Sequence, residues 1–171
     1  MGIGFTTDLD DMMFTTKVAI RRRLVLIDIE NVSGGGIQVA QQVRDVRDAL
    51  ADATSLDFDN DHIVLACGRE SARIAGFAWS GNRRFVFRPG VDGADLELLA
   101  ILETERIADR FTDVLLISGD AIFTDAVASL GAQGVNVTVA SRPRALSRRL
   151  RMAASQVIEL EYDNYGILEA A

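Results

Sequence analysis

The chain has 171 residues, of which 49% are hydrophobic and two are proline, which is sufficient for a single domain with its own core. A formal net charge of −7 argues against coating of nucleic acid by bulk attraction, although a local basic groove stays open. One cysteine, Cys67, and one histidine, His62, exclude an internal disulfide and the usual zinc sites, and they indicate a reducing, cytoplasmic location. Apolar runs are shorter than the roughly 18 residues of a membrane span, so we expect no membrane partner.

Apolar runs and amphipathic periods alternate between an N-terminal tail, residues 1–20, that we expect to be flexible, and a C-terminal tail, residues 163–171. The first buried strand begins at Leu24 and ends in the acidic and amide side chains of 28–31, after which the glycines at 34–36 open a turn. Further strands are predicted over 62–68, 84–88, 113–118, 135–140 and 156–160. Helices are predicted over 37–51, 70–77, 91–109, 122–130 and 144–154. The alternation predicts one doubly wound α/β domain over residues 21–162, with a mainly parallel sheet of five to six strands.

Three aspartates lie where the ends of these elements would meet at one edge of the sheet. Asp28 and Asp120 follow two predicted strands, and Asp95 lies in the first turn of a helix that follows another strand. Three nearby carboxylates repel one another unless they are protonated or bridged by a cation. An all-oxygen site favours Mg²⁺ or Mn²⁺, which can orient a phosphate oxygen and activate water. The alternative is that each aspartate only caps a helix or a turn.

Five segments agree in order, spacing and strand context with one known family. They are Val25–Asn31, Gly93–Leu96, Leu116–Phe123, Leu130–Val137 and Leu146–Leu150. Together they resemble the NYN domain of the PIN-like nuclease superfamily, over roughly residues 24–160. The resemblance implies a metal-dependent endoribonuclease with the strand order 3-2-1-4-5, Mg²⁺ or Mn²⁺ as cofactor and RNA as the partner.

The resemblance also implies roles for residues at the matching positions. Asp28 matches the first metal-binding aspartate, Asp95 the acidic residue of the central helix, and Asp120 the aspartate of the Ser-Gly-Asp turn. Asn31 matches the polar residue beside the first aspartate and would orient water or a phosphate oxygen. These four residues form the predicted catalytic set, and the three aspartates are the predicted metal ligands. Asp92 is close enough in sequence to be confused with Asp95.

The chain departs from the family at Ile122, where a second aspartate often follows the Ser-Gly-Asp turn. Isoleucine cannot bind a metal, so the second metal position is weakened or lost. Asp125 lies one helical turn further on and is assigned to the surface. The departure keeps a second hypothesis open, in which the domain keeps the fold and binds RNA, or regulates, without cutting.

Five arginines with no acidic residue among them follow the predicted fifth strand, at positions 142, 144, 148, 149 and 151. On a helix, Arg144, Arg148 and Arg151 share one face and would hold an RNA backbone without reading its sequence. Ser118 is expected to help through its hydroxyl. The alternative is a solvated surface helix.

Four further residues are weighed against a role in packing alone. Phe77 and Trp79 are candidates for stacking on RNA bases; we assign Phe77 to the core and leave Trp79 open. Cys67 is assigned to the core, and His62 to the end of a strand rather than to catalysis.

A third hypothesis is a phosphatase-like hydrolase that acts on a small phosphorylated substrate. Arginines on the same rim as the aspartates would favour RNA, whereas a closed, small pocket would favour this third hypothesis. The sequence leaves a homodimer open and names no protein partner.

Overall fold

The computed structural model describes residues 22–161, so the two predicted tails, residues 1–20 and 163–171, lie outside the described residues. Six parallel strands form one sheet in the order β3-β2-β1-β4-β5-β6. The strands are β1 (Arg23–Asp28), β2 (His62–Gly68), β3 (Arg84–Arg88), β4 (Asp113–Ile117), β5 (Asn136–Ser141) and β6 (Gln156–Glu159). The predicted α/β class and the order 3-2-1-4-5 are confirmed, and β6 extends the sheet by one strand.

Helices cover both faces of this sheet. They are α1 (Ile29–Ser33), α2 (Ala40–Thr54), α3 (Arg69–Ala78), α4 (Gly93–Thr104), α5 (Ile107–Arg110), α6 (Thr124–Ala132) and α7 (Arg148–Ala153), with a 3₁₀ turn at Ala121–Phe123. Among residues 22–161, none of these helices has the length and apolar character required to cross a membrane.

The unbroken apolar run of β1 is explained by burial on both faces of the sheet. Leu24 and Leu26 face the core layer that contains α4 and α6, whereas Val25 and Ile27 face the layer that contains α2. Successive side chains of a strand point to opposite faces, so a central strand covered on both sides needs an apolar residue at every position. This burial fixes the end of β1, and with it the position of Asp28.

Three predicted boundaries differ from the structure for local reasons. The first strand ends at Asp28 because Asp28 Oδ1 accepts hydrogen bonds from the backbone N–H groups of Glu30 and Asn31 and so starts α1. The predicted helix 37–51 begins only at Ala40 and continues to Thr54. The predicted helix 91–109 is two helices, because Arg106 adopts a left-handed backbone (φ 51°) between α4 and α5.

The predicted arginine-rich helix 144–154 is also wrong in its first half. The backbone N–H groups of Ala145 and Leu146 donate to the Arg142 carbonyl, so this segment turns before α7 begins at Arg148. Arg144 therefore lies in a loop. The prediction that Arg144 shares a helix face with Arg148 and Arg151 is therefore wrong.

The two candidate stacking aromatics lie in opposite environments. Trp79 is 1% exposed and packs in the α2 layer of the core, whereas Phe77 is 87% exposed. The assignment of Phe77 to the core was wrong, because Phe77 lies on the face of α3 opposite the buried Ser71 and Ala75. Cys67 is buried as predicted, and His62 opens β2 at the opposite end of the strands from Asp28.

We expect Trp79→Ala to destabilise the fold by about 3–5 kcal/mol, because it leaves a large cavity in a packed layer. Phe77→Ala, the matched truncation of an exposed ring, should change stability by less than about 0.5 kcal/mol. Urea unfolding followed by circular dichroism measures both. Equal destabilisation by the two variants would contradict the burial described here.

Candidate functional site

A pocket of about 300 Å³ lies at the carboxyl ends of β1 and β2, beside the start of α4. Its lining contains all four residues of the predicted catalytic set, together with two further acidic side chains and three glycines: Asp28, Glu30, Asn31, Gly68, Gly90, Asp92, Gly93, Asp95 and Asp120. Parallel strands end at the same edge of a sheet, which is why residues far apart in sequence meet here.

Asp28 is the most deeply buried acidic residue of this pocket, at 4% exposure. Its Oδ1 accepts two backbone hydrogen bonds, each 3.1 Å long, from Glu30 and Asn31. Burial raises the pKa of Asp28, and the two backbone donors oppose that rise only in part. The carboxylate is therefore held in a fixed orientation by the first turn of α1.

Asp95 faces Asp28 from the first turn of α4. This turn approaches β3 closely, since a Cβ on Gly93 would lie 2.1 Å from the Arg88 carbonyl oxygen, and only glycine fits there. Burial, and then the negative charge of Asp28, raise the pKa of Asp95 to about 8. Asp95 Oδ1 is buried and has no hydrogen-bond partner among the described residues. A buried carboxylate oxygen that accepts no hydrogen bond can bind a cation or a proton instead.

Asp120 lies at the exposed rim of the pocket, after β4. Its Oδ1 accepts from the backbone N–H of Ile122 at 2.8 Å and caps the 3₁₀ turn. Asn31 Oδ1 accepts from the Gly119 N–H at 3.3 Å and so ties the end of β1 to this turn. Ser118 is 1% exposed and its Oγ accepts from the Asp120 N–H, so it supports the turn and does not line the pocket.

The donor set of the pocket fits a hard divalent cation, although a complete ligand shell is not assembled. Within residues 22–161, no group of three or more His, Cys, Asp or Glu side chains is arranged to hold a metal ion. The oxygens available are those of carboxylates, and Asp95 Oδ1 lacks a partner. Mg²⁺ commonly takes one or two carboxylates and completes its shell with water and substrate phosphate. Asp28 and Asp95 provide such a pair.

The arginine segment after β5 lies against the Ser-Gly-Asp turn. The Ser147 N–H donates to the Gly119 carbonyl at 2.8 Å, and a Cβ on Gly119 would lie 2.4 Å from the Ala145 carbonyl oxygen. Arg142 extends from this segment over the glycine turn that follows α1, where a Cβ on Gly34 would lie 2.6 Å from its Nη1.

The three predicted RNA-binding arginines are not equivalent. Arg144 lies in the loop and Arg148 at the start of α7, and both are exposed. Arg151 is exposed as well, but its guanidinium forms an ion pair with Glu159. The basic strip adjoining the pocket therefore consists of the loop and the first residues of α7.

Comparison with known families assigns the chain to one of them. The family model for the NYN domain matches residues 22–161. The chain belongs to the NYN domain family. That family lies within the PIN-like nuclease superfamily, and NYN domains are generally ribonucleases.

One solved structure supports the fold of this NYN domain. It is that of a protein of unknown function from Vibrio parahaemolyticus RIMD 2210633, with a TM-score of 0.55 and 17% sequence identity. The match covers 86% of this chain and 96% of that chain. At this identity the likeness concerns the fold alone. No curated protein matches the chain.

Two acidic residues of the NYN domain pocket were absent from the predicted set. The Glu30 carboxylate accepts from the Gly68 N–H at 3.0 Å and from the Ser71 hydroxyl, which joins α1 to the start of α3. Asp92 occupies the N-cap position of α4 but makes no side-chain cap hydrogen bond, and its backbone is left-handed (φ 56°). The signal for Glu30 was its place in the Asp28–Asn31 motif. For Asp92 the signal was its closeness in sequence to Asp95.

Two residues near the motifs lie away from the pocket. Asp125 is exposed and borders a separate pocket of about 290 Å³ beside Glu103 and Arg106. Its predicted place on the surface is correct. Ile122, at the position where the family often has an aspartate, packs its side chain against the core.

We expect Asp95→Asn to raise the thermal midpoint of the metal-free protein by about 2–4 °C at pH 8. The folded state holds the Asp95 proton more tightly than the unfolded chain, so stability falls as the pH rises from 3.8 to about 8. The gain should therefore disappear near pH 4, and Mg²⁺ should no longer shift the midpoint. Scanning calorimetry in EDTA and in MgCl₂ measures these effects.

Asp125→Asn is the matched control, because Asp125 is an exposed aspartate outside the pocket. It should leave both the midpoint and its response to Mg²⁺ unchanged. A lower midpoint for Asp95→Asn at pH 8 would mean that Asp95 is held by favourable contacts, contrary to the geometry described.

Proposed function

We propose that this NYN domain is an endoribonuclease that uses Mg²⁺ or Mn²⁺ to hydrolyse RNA phosphodiester bonds. The observation that carries the proposal is the pair of buried Asp28 and half-buried Asp95 in one pocket, with the buried Asp95 Oδ1 lacking a partner among the described residues. Two such carboxylates are unfavourable together unless a cation or a proton lies between them. The family to which the chain belongs supports a nuclease-type activity.

In this proposal Asp28 and Asp95 hold the metal, and Asp120 contributes from the rim. A bound divalent ion would lower the pKa of its water and polarise a phosphate oxygen. The backbone donors of α1 fix the Asp28 carboxylate, so little reorganisation is needed when a cation binds. Asn31 keeps the turn after β4 in register with β1 through Gly119.

An acidic pocket repels RNA phosphates, so RNA binding requires positively charged side chains nearby. Arg144 and Arg148 would supply this positive charge, and the hydrogen bond from the Ser147 N–H to the Gly119 carbonyl, beside Asp120, supports this role. Arginine grips phosphate through a planar fork of donors and reads no base. Arginines on the same rim as the aspartates are the arrangement that favours RNA over a small phosphorylated substrate.

A binding module that does not cut is the second candidate, and Ile122 is the observation that favours it. Its side chain packs on the core at the position of a frequent family aspartate, so the pocket has one carboxylate fewer. The predicted cytoplasmic location, the homodimer and the substrate role of Ser118 stay predictions.

We expect cleavage of a labelled, mixed-structure RNA in Mg²⁺ or Mn²⁺ and none in EDTA. Asp28→Asn and Asp95→Asn should each lower the rate at least about 100-fold, since each replaces a negatively charged ligand of the metal by a neutral amide. Gel electrophoresis of the labelled RNA measures the products, and Asp125→Asn is the control expected to cut normally. Cleavage that survives both substitutions would place the activity elsewhere. RNA retention without cleavage would establish the binding module.

We expect Arg144→Ala and Arg148→Ala each to weaken single-stranded RNA binding and to reduce the magnitude of the negative slope of log K against log salt by about 0.7. Arg151→Ala is the matched control and should have a smaller effect, because Glu159 already neutralises this guanidinium. Fluorescence anisotropy in EDTA, titrated over a range of salt, measures the slopes. Equal losses for the three variants would refute the assignment of the strip to the loop.

A further inference from the structure

Two exposed aromatic side chains lie on α3 and on the edge strand β3. Among the described residues there are five exposed large hydrophobic side chains, at positions 39, 77, 87, 91 and 152. Phe77 is 87% exposed and Phe87 54% exposed, and both lie near β3, the edge strand of the sheet. Exposed aromatic rings on a surface indicate a contact site.

The outer face of α3 forms a path from the acidic pocket to Phe77. Gly68 lines the pocket and is the N-cap of α3. Arg69, Arg73 and Phe77 follow at intervals of four residues, so they share one face of the helix, and all three are exposed. From Arg69 to Phe77 the helix rises by about 12 Å, a length that a few nucleotides of single strand span.

Phe87 lies toward the pocket end of this path, because it is the register partner of Cys67, next to the N-cap Gly68. α3 packs against β3 through Gly76, where a Cβ would lie 3.2 Å from Phe85 Cε1. The rings of Phe85 and Phe87 follow on the same side of β3, with centroids 6.3 Å apart. We call Arg69, Arg73, Phe77 and Phe87 the α3 track.

The charge of this region selects its partner. Residues 69–88 contain five arginines and a single acidic residue, in a chain whose formal net charge is −7. Arg84 and Arg88 form ion pairs with Glu105 and Glu97, whereas among the described residues Arg69 and Arg73 have no such pair. A second copy of the chain would bring like charges together on this surface, and a polyanion would not.

We propose that the α3 track binds single-stranded RNA that leaves the acidic pocket, with phosphates on Arg69 and Arg73 and bases stacked on Phe77 and Phe87. The identity of the ligand as RNA rests on the proposed function. Rings stack on unpaired bases of any sequence, while a duplex keeps its bases stacked internally. The track therefore selects single strands over duplexes and prefers no sequence.

The test measures affinity in EDTA, so that it does not depend on cleavage. The probes are a fluorescein-labelled oligouridine and a labelled hairpin duplex, followed by anisotropy. Phe77→Ala/Phe87→Ala should weaken oligouridine binding about tenfold or more and leave hairpin binding unchanged. Phe77→Trp should keep the affinity, and its exposed indole should be quenched by oligouridine. Val39→Ala, which truncates an exposed side chain on α2's N-cap, is the control and should bind as the parent protein does.

Three outcomes would overturn the α3 track. They are no binding of oligouridine by the parent protein, an equal loss for oligouridine and hairpin, and no loss for either. Light scattering adds a fourth: a dimer that the double alanine variant converts to monomer would assign the two rings to a second copy of the chain. Single-strand binding as expected, without cleavage in Mg²⁺ or Mn²⁺, would leave the track standing and refute the proposed activity.

Discussion

The electrostatic conflict between Asp28 and Asp95 is the constraint on which the rest of this site depends. Two carboxyl groups are held together out of water, and burial raises the pKa of both. The fold tolerates this repulsion because the two elements that carry Asp28 and Asp95 are anchored independently of each other. β1 is buried on both faces, and the first turn of α4 is pressed against the end of β3 at Gly93. Such strain, maintained by the packing of the whole sheet, is typical of sites that receive a ligand.

The sequence predicted the sheet and the meeting of the aspartates because both follow from patterns that are local and strong. Apolar runs without a helical period identified the strands, and parallel order then placed Asp28 and Asp120 at one edge. Asp95 followed from its place in the first turn of a helix. These inferences needed only the ends of β1 and β4 and the start of α4, and these boundaries were nearly correct.

What the sequence could not supply was the direction of side chains at the boundaries. Phe77 and Trp79 are two residues apart at the end of α3, and one is exposed while the other is buried. A prediction of which one faces the core therefore depends on the exact position of the helix end. Arg144 was placed on a helix, whereas the Arg142 carbonyl accepts two backbone hydrogen bonds and forms a turn there. Ser118 was expected to contact substrate, yet it lies under the turn. Each depends on tertiary packing, which propensity does not describe.

Gly119 connects the acidic pocket to the arginine segment that follows β5. The space where its side chain would lie is filled by the Ala145 carbonyl and the Ser141 hydroxyl, and its own N–H and carbonyl bind Asn31 and Ser147. Three strand ends thus converge on one residue without a side chain. A larger residue there would force the segment bearing Arg144 outward and disturb the register of β1 with β4 at once. Under the proposed function, a substitution at Gly119 would therefore change the affinity for the metal and the affinity for RNA together.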